Sequence, residues 1–182
     1  MVSMYYTVII KPDKNIRDKI TYMKKKLENK YGYTGTLSNK GVHITLLYLK
    51  NYNKLCIDKI IKVCNETKEL TVKIGNIDYF EKTKNDKKYY IVYINVIPSK
   101  ELIIFHKKLN IALGKNAFIN DEFVPHFSLV RKNVDGNRLN NIMNDLKNFN
   151  IDKEVKINHI LIGRRSDMNK RWNFKRVYFN KI

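Results

Sequence analysis

Two apolar segments decide how this sequence is interpreted: Val42-His43-Ile44-Thr45-Leu46-Leu47-Tyr48-Leu49 and Phe123-Val124-Pro125-His126-Phe127-Ser128-Leu129-Val130. Both are rich in aromatic, β-branched and other apolar residues, which is typical of buried strands. Each also contains one histidine followed two positions later by a hydroxyl residue. Because residues two apart on a strand share a face, the imidazole and the hydroxyl of each segment are predicted to project together.

The repeated His-x-Ser/Thr pattern indicates a catalytic site. Polar pairs on apolar strands are costly unless they are hydrogen-bonded or line a wet cleft. A single histidine on a strand more often has a structural role, but two histidines in the same His-x-Ser/Thr pattern favour a catalytic role. Two imidazoles can share general acid and base catalysis of phosphoryl transfer, because imidazole titrates near neutrality. The hydroxyls of Thr45 and Ser128 can donate hydrogen bonds to non-bridging phosphate oxygens. Such a site needs no metal and no cofactor.

Outward from these segments, the sequence predicts alternating strands and helices. An opening strand ends before Pro12, and a helix with Asp13 at its start has apolar residues at three- and four-residue steps. The order of elements repeats weakly in the two halves, which predicts one domain over residues 1–182 made of two similar lobes. Strands are predicted at 4–10, 42–49, 70–80, 89–97, 123–130, 155–163 and 172–179, and helices at 16–31, 55–66, 101–113 and 139–149, with a charged turn at 81–88.

The segments His43-Ile44-Thr45-Leu46 and Pro125-His126-Phe127-Ser128-Leu129, with Arg131 beyond, resemble the signature of the 2H phosphoesterase superfamily. This superfamily includes LigT-like RNA 2′,5′-ligases, cyclic nucleotide phosphodiesterases and viral 2′,5′-phosphodiesterases. The resemblance covers most of the chain. It implies an α+β, bilobal LigT-like fold in which two antiparallel sheets face a central cleft and helices pack outside. It also implies that His43 and His126 are the catalytic pair, with either one as the base.

The resemblance implies a metal-independent phosphodiesterase that acts on 2′-linked bonds of small nucleotides. Stand-alone and viral members that destroy messengers such as 2′,5′-oligoadenylate or 2′,3′-cyclic GMP-AMP provide the leading interpretation, with a role in immune evasion. An RNA-processing enzyme that opens 2′,3′-cyclic ends or trims 3′ ends is the alternative. A non-catalytic RNA- or nucleotide-binding module is the alternative of another class, although such a module needs neither imidazole.

Other residues are weaker candidates for substrate binding. Arg131 can hold a phosphate, but simple alternation places it on the opposite face from His126 unless a bulge intervenes. Tyr48 and Tyr6 can stack on a base, although aromatic residues on strands more often belong to the core. His106 and His159 lack a hydroxyl partner, so both are predicted to be structural.

The composition fits a phosphate-bearing partner. Lys and Arg number 36 against 17 Asp and Glu, a formal net charge of +19, which attracts polyanions including RNA. Part of this excess fits the lysine bias of an AT-rich genome. The two cysteines, Cys56 and Cys64, are predicted to lie unpaired on one helix in a reducing compartment. No apolar run approaches the roughly 20 residues that span a bilayer, so no membrane span is predicted. The protein is expected to be a cytoplasmic monomer.

Overall fold

A computed structural model describes residues 5–32, 41–50, 52–118, 122–132, 134–151, 153–166 and 171–180. The bounds of its helices and strands set the frame for the candidate site. The strands are β1 (Tyr5–Ile10), β2 (Ile44–Leu49), β3 (Leu70–Lys84), β4 (Lys87–Pro98), β5 (Ala117–Phe118), β6 (His126–Val130), β7 (Glu154–Ile157), β8 (His159–Arg165) and β9 (Asn173–Tyr178); the helices are α1 (Lys14–Tyr31), α2 (Lys54–Asn65), α3 (Lys100–Leu113) and α4 (Gly136–Leu146).

The strands form two sheets. One has five strands in the order β5-β2-β1-β8-β9, and the other has four in the order β6-β4-β3-β7. Every pairing is antiparallel. The predicted α+β class with two antiparallel sheets is therefore confirmed. The sheets do not follow the two halves of the chain, because β8 and β9 join the sheet that β1 and β2 begin.

Side chains that the sequence supplies just before each helix set the helix starts. At all four starts the residue before the helix accepts a hydrogen bond from the backbone N–H three positions on, which satisfies one of the unpaired donors of the first turn. Asp13 does this for α1, as predicted. The other three caps are Asn53, Ser99 and Asp135.

Two sequence predictions about strands were wrong. The segment 81–88 is not a charged turn, because β3 and β4 continue to a two-residue turn at Asn85 and Asp86, both with positive φ. Such a turn matches the twist of a hairpin. The hairpin arm formed by residues 81–88 lies outside the core, so its sequence lacks the apolar alternation that predicts a strand. The predicted strand 155–163 is two strands that break at Asn158 and join different sheets, and an apolar pattern carries no signal for that change.

Most of the buried apolar side chains of both sheets belong to one cluster, which does not include Ile9, Tyr93 and Leu161. Helix α1 packs against β6, and the backbones of β2 and β6 approach each other within 8 Å between Cα atoms. This approach brings the two histidine segments side by side. Cys56 and Cys64 are buried and unpaired on α2. No helix in the described ranges has the length and apolar character that crossing a membrane requires.

Candidate active site

The first histidine segment contains a bulge directly after its hydroxyl residue. Ile9 of β1 pairs with Thr45 and the preceding Val8 pairs with Leu47, so Leu46 is an extra residue without a partner in that register. An extra residue reverses the alternation of the strand beyond it. Tyr48, which pairs with Thr7, therefore lies on the same face as Thr45, although the two are three positions apart.

The second segment repeats this arrangement. Tyr93 of β4 pairs with Ser128 and Val92 pairs with Val130, so Leu129 is the extra residue. Val130 is buried, and continued alternation directs the following Arg131 to the face of Ser128. This is the bulge on which the prediction for Arg131 depended. In each segment the hydroxyl residue thus shares one face with the side chain three positions on, and in the second segment His126 lies on that face as well.

The register separates Tyr6 from the other candidates. Tyr6 lies on the face of β1 that carries the buried Val8 and Ile10, opposite the face of Thr7 and Ile9. It packs partly buried against the core, and its ring stacks on Tyr52 with centroids 5.2 Å apart. The register therefore does not bring Tyr6 to the face of Thr45, and base stacking by Tyr6 stays a prediction.

The two histidines are held in the same way. Nδ1 of His43 lies 2.8 Å from the carbonyl oxygen of Gly41, and Nδ1 of His126 lies 2.9 Å from that of Val124. A carbonyl can only accept, so each neutral ring carries its proton on Nδ1. The tautomer makes Nε2 the basic nitrogen of both rings. Gly41 has a φ of 69°, a left-handed conformation that favours glycine and turns its carbonyl towards His43.

The surroundings of His126 favour the neutral imidazole. Its ring centroid lies 5.2 Å from those of Phe80 and Tyr93, which stack on each other at 4.2 Å. Burial lowers the pKa of His126; the hydrogen bond to Val124 opposes this, and the charge of Arg131 adds to the lowering. His126 is therefore neutral at neutral pH, with Nε2 ready to accept a proton.

His106, which was predicted to be structural, lies behind the first bulge. Its Nε2 lies 3.1 Å from the carbonyl oxygen of Leu46. The ring is buried and stacks on Phe123 with centroids 3.8 Å apart. Burial is the main cause that lowers the pKa of His106, so the neutral ring donates Nε2–H to the bulge carbonyl. Helix α3 is thereby fastened to the strand of Thr45.

Lys24 is a cation near the site that sequence reasoning missed. It is only 5% exposed and shares the buried stripe of α1 with Ile16, Ile20 and Leu27. Burial, and then the nearby charge of Arg131, lower the pKa of Lys24 to about 8. The four-residue step from Ile20 to Lys24, which continues the apolar spacing of α1, was the signal for burial.

The side chains of the site have the composition of a phosphate-binding site. Two imidazoles, two hydroxyls and the guanidinium of Arg131 are proton carriers and hydrogen-bond donors suited to phosphate oxygens. Within the described ranges, no three His, Cys, Asp or Glu side chains are grouped so that they could hold a metal ion.

The sequence model of the 2′-5′ RNA ligase superfamily matches residues 12–169, which include both histidine segments. The chain belongs to this superfamily. The resemblance to the 2H phosphoesterases is thereby confirmed, and membership supports a hydrolase that acts on phosphodiester bonds. No curated protein sequence matches the chain.

Solved structures share the fold of this superfamily member. E. coli LigT in complex with 3′-AMP is 13% identical, with a TM-score of 0.64 over 98% of this chain and 99% of LigT. A protein of Thermus thermophilus is 11% identical, with a TM-score of 0.69 over 96% of this chain and 97% of its own. LigT also has a structure with NADP+, with a TM-score of 0.60 at 13% identity and full coverage of both chains. At these identities the likeness establishes the LigT-like fold.

Proposed function

We propose that this protein hydrolyses 2′-linked phosphodiester bonds of small nucleotides by paired-histidine acid and base catalysis without a metal ion. The observation that carries the proposal is the matched presentation of His43 and His126. Both rings are fixed through Nδ1 by a carbonyl two residues upstream, on neighbouring segments. Each therefore uses Nε2 for proton transfer, the arrangement that a base and acid pair requires.

The surroundings of His126 support its role as the base, which leaves His43 as the acid. His126, whose pKa is lowered by burial, takes a proton from water or from a neighbouring ribose hydroxyl. The oxygen attacks phosphorus while the bond to the leaving ribose oxygen breaks, and protonated His43 supplies a proton to that oxygen. Thr45 and Ser128 donate hydrogen bonds to the non-bridging oxygens, whose charge must be held in the transition state. Arg131 adds a positive charge on the same face.

Small 2′-linked messengers are the substrates that we favour, of the 2′,5′-oligoadenylate or 2′,3′-cyclic GMP-AMP type. Tyr48 supports this class, because it is 42% exposed and lies on the face of Thr45, where it can stack on a base. LigT, a member of the same fold family, has structures with 3′-AMP, ATP and NADP+. Destruction of such messengers would blunt antiviral nucleotide signalling in the cytoplasm.

RNA processing is the second candidate, and the hairpin arm of β3 and β4 favours it. The arm extends past the end of β6 and carries four exposed lysines. Together with the net charge of +19, it offers a surface for a longer phosphate backbone. These lysines are Lys82, Lys84, Lys87 and Lys88.

The test is hydrolysis in EDTA of a panel containing 2′,5′-linked ApA, 3′,5′-linked ApA, 2′,3′-cyclic AMP and 2′,3′-cyclic GMP-AMP. We expect turnover of 2′-linked bonds and a loss of at least about 10²-fold in kcat on changing either histidine. His43→Asn and His126→Asn are the sharpest variants, because the amide can still donate to the upstream carbonyl but cannot carry the proton. Undiminished turnover in either variant excludes the mechanism, and strict dependence on added metal excludes the proposal.

A further inference from the structure

A cavity of about 270 Å³ lies on the same sheet face as the candidate site but contains none of its residues. Ile9 pairs with Thr45 on one side and with Leu161 on the other, and Leu161 pairs with Arg176. Paired residues share a face, so these four form a row across the sheet. Leu161 and Arg176 line the cavity. The cavity is therefore a continuation of the surface that carries Thr45.

Cationic residues from four parts of the chain line this cavity. Lys11 follows β1, Arg17 comes from α1, Lys156 from β7 and Arg176 from β9. His159, at the start of β8, completes the set, and its Nδ1 donates to Asn158 Oδ1 at 2.7 Å. Five groups that are cationic or can become so thus surround one small space.

Neutral partners hold the two guanidinium groups without cancelling their charge. Arg17 Nη1 donates to the carbonyl oxygen of Pro12 at 2.9 Å, and Arg176 Nη1 donates to Tyr178 Oη at 3.1 Å. Lys11 Nζ lies 4.6 Å from the ring centroid of Phe174. Among the described residues, the structure assigns none of these three a carboxylate partner.

The acidic groups near the cavity are already engaged. Asp13, which lines it, accepts the backbone N–H of Ile16 and lies 3.7 Å from Lys153 Nζ. Glu69 lies 3.6 Å from Lys156. Burial and the facing charge of Arg17 lower the pKa of Lys11, and burial and Arg176 lower that of His159. Like charges face each other here, so an anion would relieve their repulsion.

The volume of the cavity and its distance from Thr45 limit the class of ligand that it can bind. Its volume is below the roughly 300–1,000 Å³ of pockets that enclose a whole drug-sized molecule, so it fits a phosphoryl group rather than a complete nucleotide. With strands about 4.8 Å apart, Leu161 lies roughly 10 Å and Arg176 roughly 14 Å across the sheet from Thr45. At this backbone separation, two phosphoryl groups of one molecule can occupy the candidate site and the cavity at the same time.

We propose that this cavity, the distal phosphate pocket, binds a terminal phosphoryl group of the substrate whose scissile bond lies at His43 and His126. The inference deepens the proposed function and rests on it. The pocket selects nucleotides that carry a phosphate beyond the one that is cleaved. Arg17 and Arg176 supply charge-assisted hydrogen bonds, and Lys11 supplies further positive charge.

The experiment compares 2′,5′-linked ApA with free ends against the same dinucleotide carrying a 5′-triphosphate or a 3′-phosphate. We expect at least one terminal phosphate to raise kcat/KM by about tenfold or more. In Arg17→Gln and Arg176→Gln the ratio of kcat/KM between phosphorylated and unphosphorylated substrates should fall towards one. Lys107→Gln, which removes one exposed charge from α3, should retain the full ratio. A second measurement, calorimetric binding of inorganic triphosphate, should show about tenfold weaker affinity in each arginine variant.

The outcomes separate the pocket from the catalytic proposal. Preference for an end phosphate that the arginine variants lose supports the pocket. Binding of inorganic triphosphate without any such preference in an active enzyme overturns it, because the pocket would then hold a free anion unrelated to the substrate. Failure of triphosphate to bind also overturns it. If no dinucleotide is hydrolysed, the proposed function fails, and the relative affinities of phosphorylated and unphosphorylated ApA for the protein decide the pocket alone.

Discussion

His106 Nε2 lies 3.1 Å from the carbonyl oxygen of Leu46, the extra residue of the bulge between Thr45 and Tyr48. The bulge is what places Thr45 and Tyr48 on one face, and a bulge carbonyl lacks its ladder partner. The buried imidazole of α3 supplies the missing donor, so a helix outside the sheet fixes the local geometry of the first histidine segment.

Replacing His106 with Leu should therefore impair activity, although His106 does not contact the substrate. The Leu46 carbonyl loses its donor, which we expect to cost about 1–3 kcal/mol in the free energy of unfolding and to lower kcat/KM for the 2′-linked substrate. The measurement pairs urea unfolding with steady-state kinetics. His106→Gln, whose amide can donate from a similar position, is the matched control and should restore kcat/KM. Equal losses in both variants would show that His106 acts only through packing.

The two hydroxyls should contribute to turnover more than to stability. We expect Thr45→Val and Ser128→Ala each to lower kcat by about 10²-fold, because each removes one donor to the charge that develops on the phosphate oxygens. Both positions are partly buried, so circular dichroism and thermal unfolding should confirm an intact fold. The exchanges Thr45→Ser and Ser128→Thr keep a hydroxyl and should retain most of the activity. A loss confined to KM would assign these groups to ground-state binding instead.

The sequence was enough to predict the α+β class with two antiparallel sheets. It also singled out both histidines and both hydroxyls as candidates, because apolar strands with polar residues two apart are a local pattern. It could not place Tyr48 and Tyr6 correctly relative to each other. A single extra residue at Leu46 decides which face Tyr48 occupies, and a bulge depends on cross-strand pairing, which local alternation does not encode. The sequence also could not predict the cavity that we propose as the distal phosphate pocket, since its residues come from elements far apart in the chain.

Arg131→Gln should raise the pKa of His126. The charge of Arg131 is one cause of the lowered value, and burial is the larger one, so the pKa should move towards its usual value without reaching it. Titration of the imidazole resonances by NMR measures this directly. If His126 is the base, activity requires its neutral form, and the acid limb of kcat/KM should move to higher pH in Arg131→Gln. Lys132→Gln removes a neighbouring charge and should shift the limb less. An unchanged pKa of His126 would contradict this account.

Lys24→Met should stabilise the protein at pH 7. The pKa of Lys24 is lowered to about 8 in the folded chain, against about 10.4 for an unperturbed lysine. The unfolded chain therefore binds more protons between these values, so the stability of the natural protein rises with pH through that window, and the full penalty of the buried charge is present below about pH 8.

Removing the charge should raise the free energy of unfolding at pH 7 by roughly 2–3 kcal/mol, and the gain should shrink as pH approaches 10.5. Urea unfolding of both proteins at several pH values measures the difference, in which all other titrations cancel. Lys25→Met, at the exposed neighbouring position, is the matched control and should change stability by less than about 0.5 kcal/mol. A gain for Lys24→Met that stayed constant from pH 7 to 10.5 would show that packing, rather than the buried charge, sets the stability at this position.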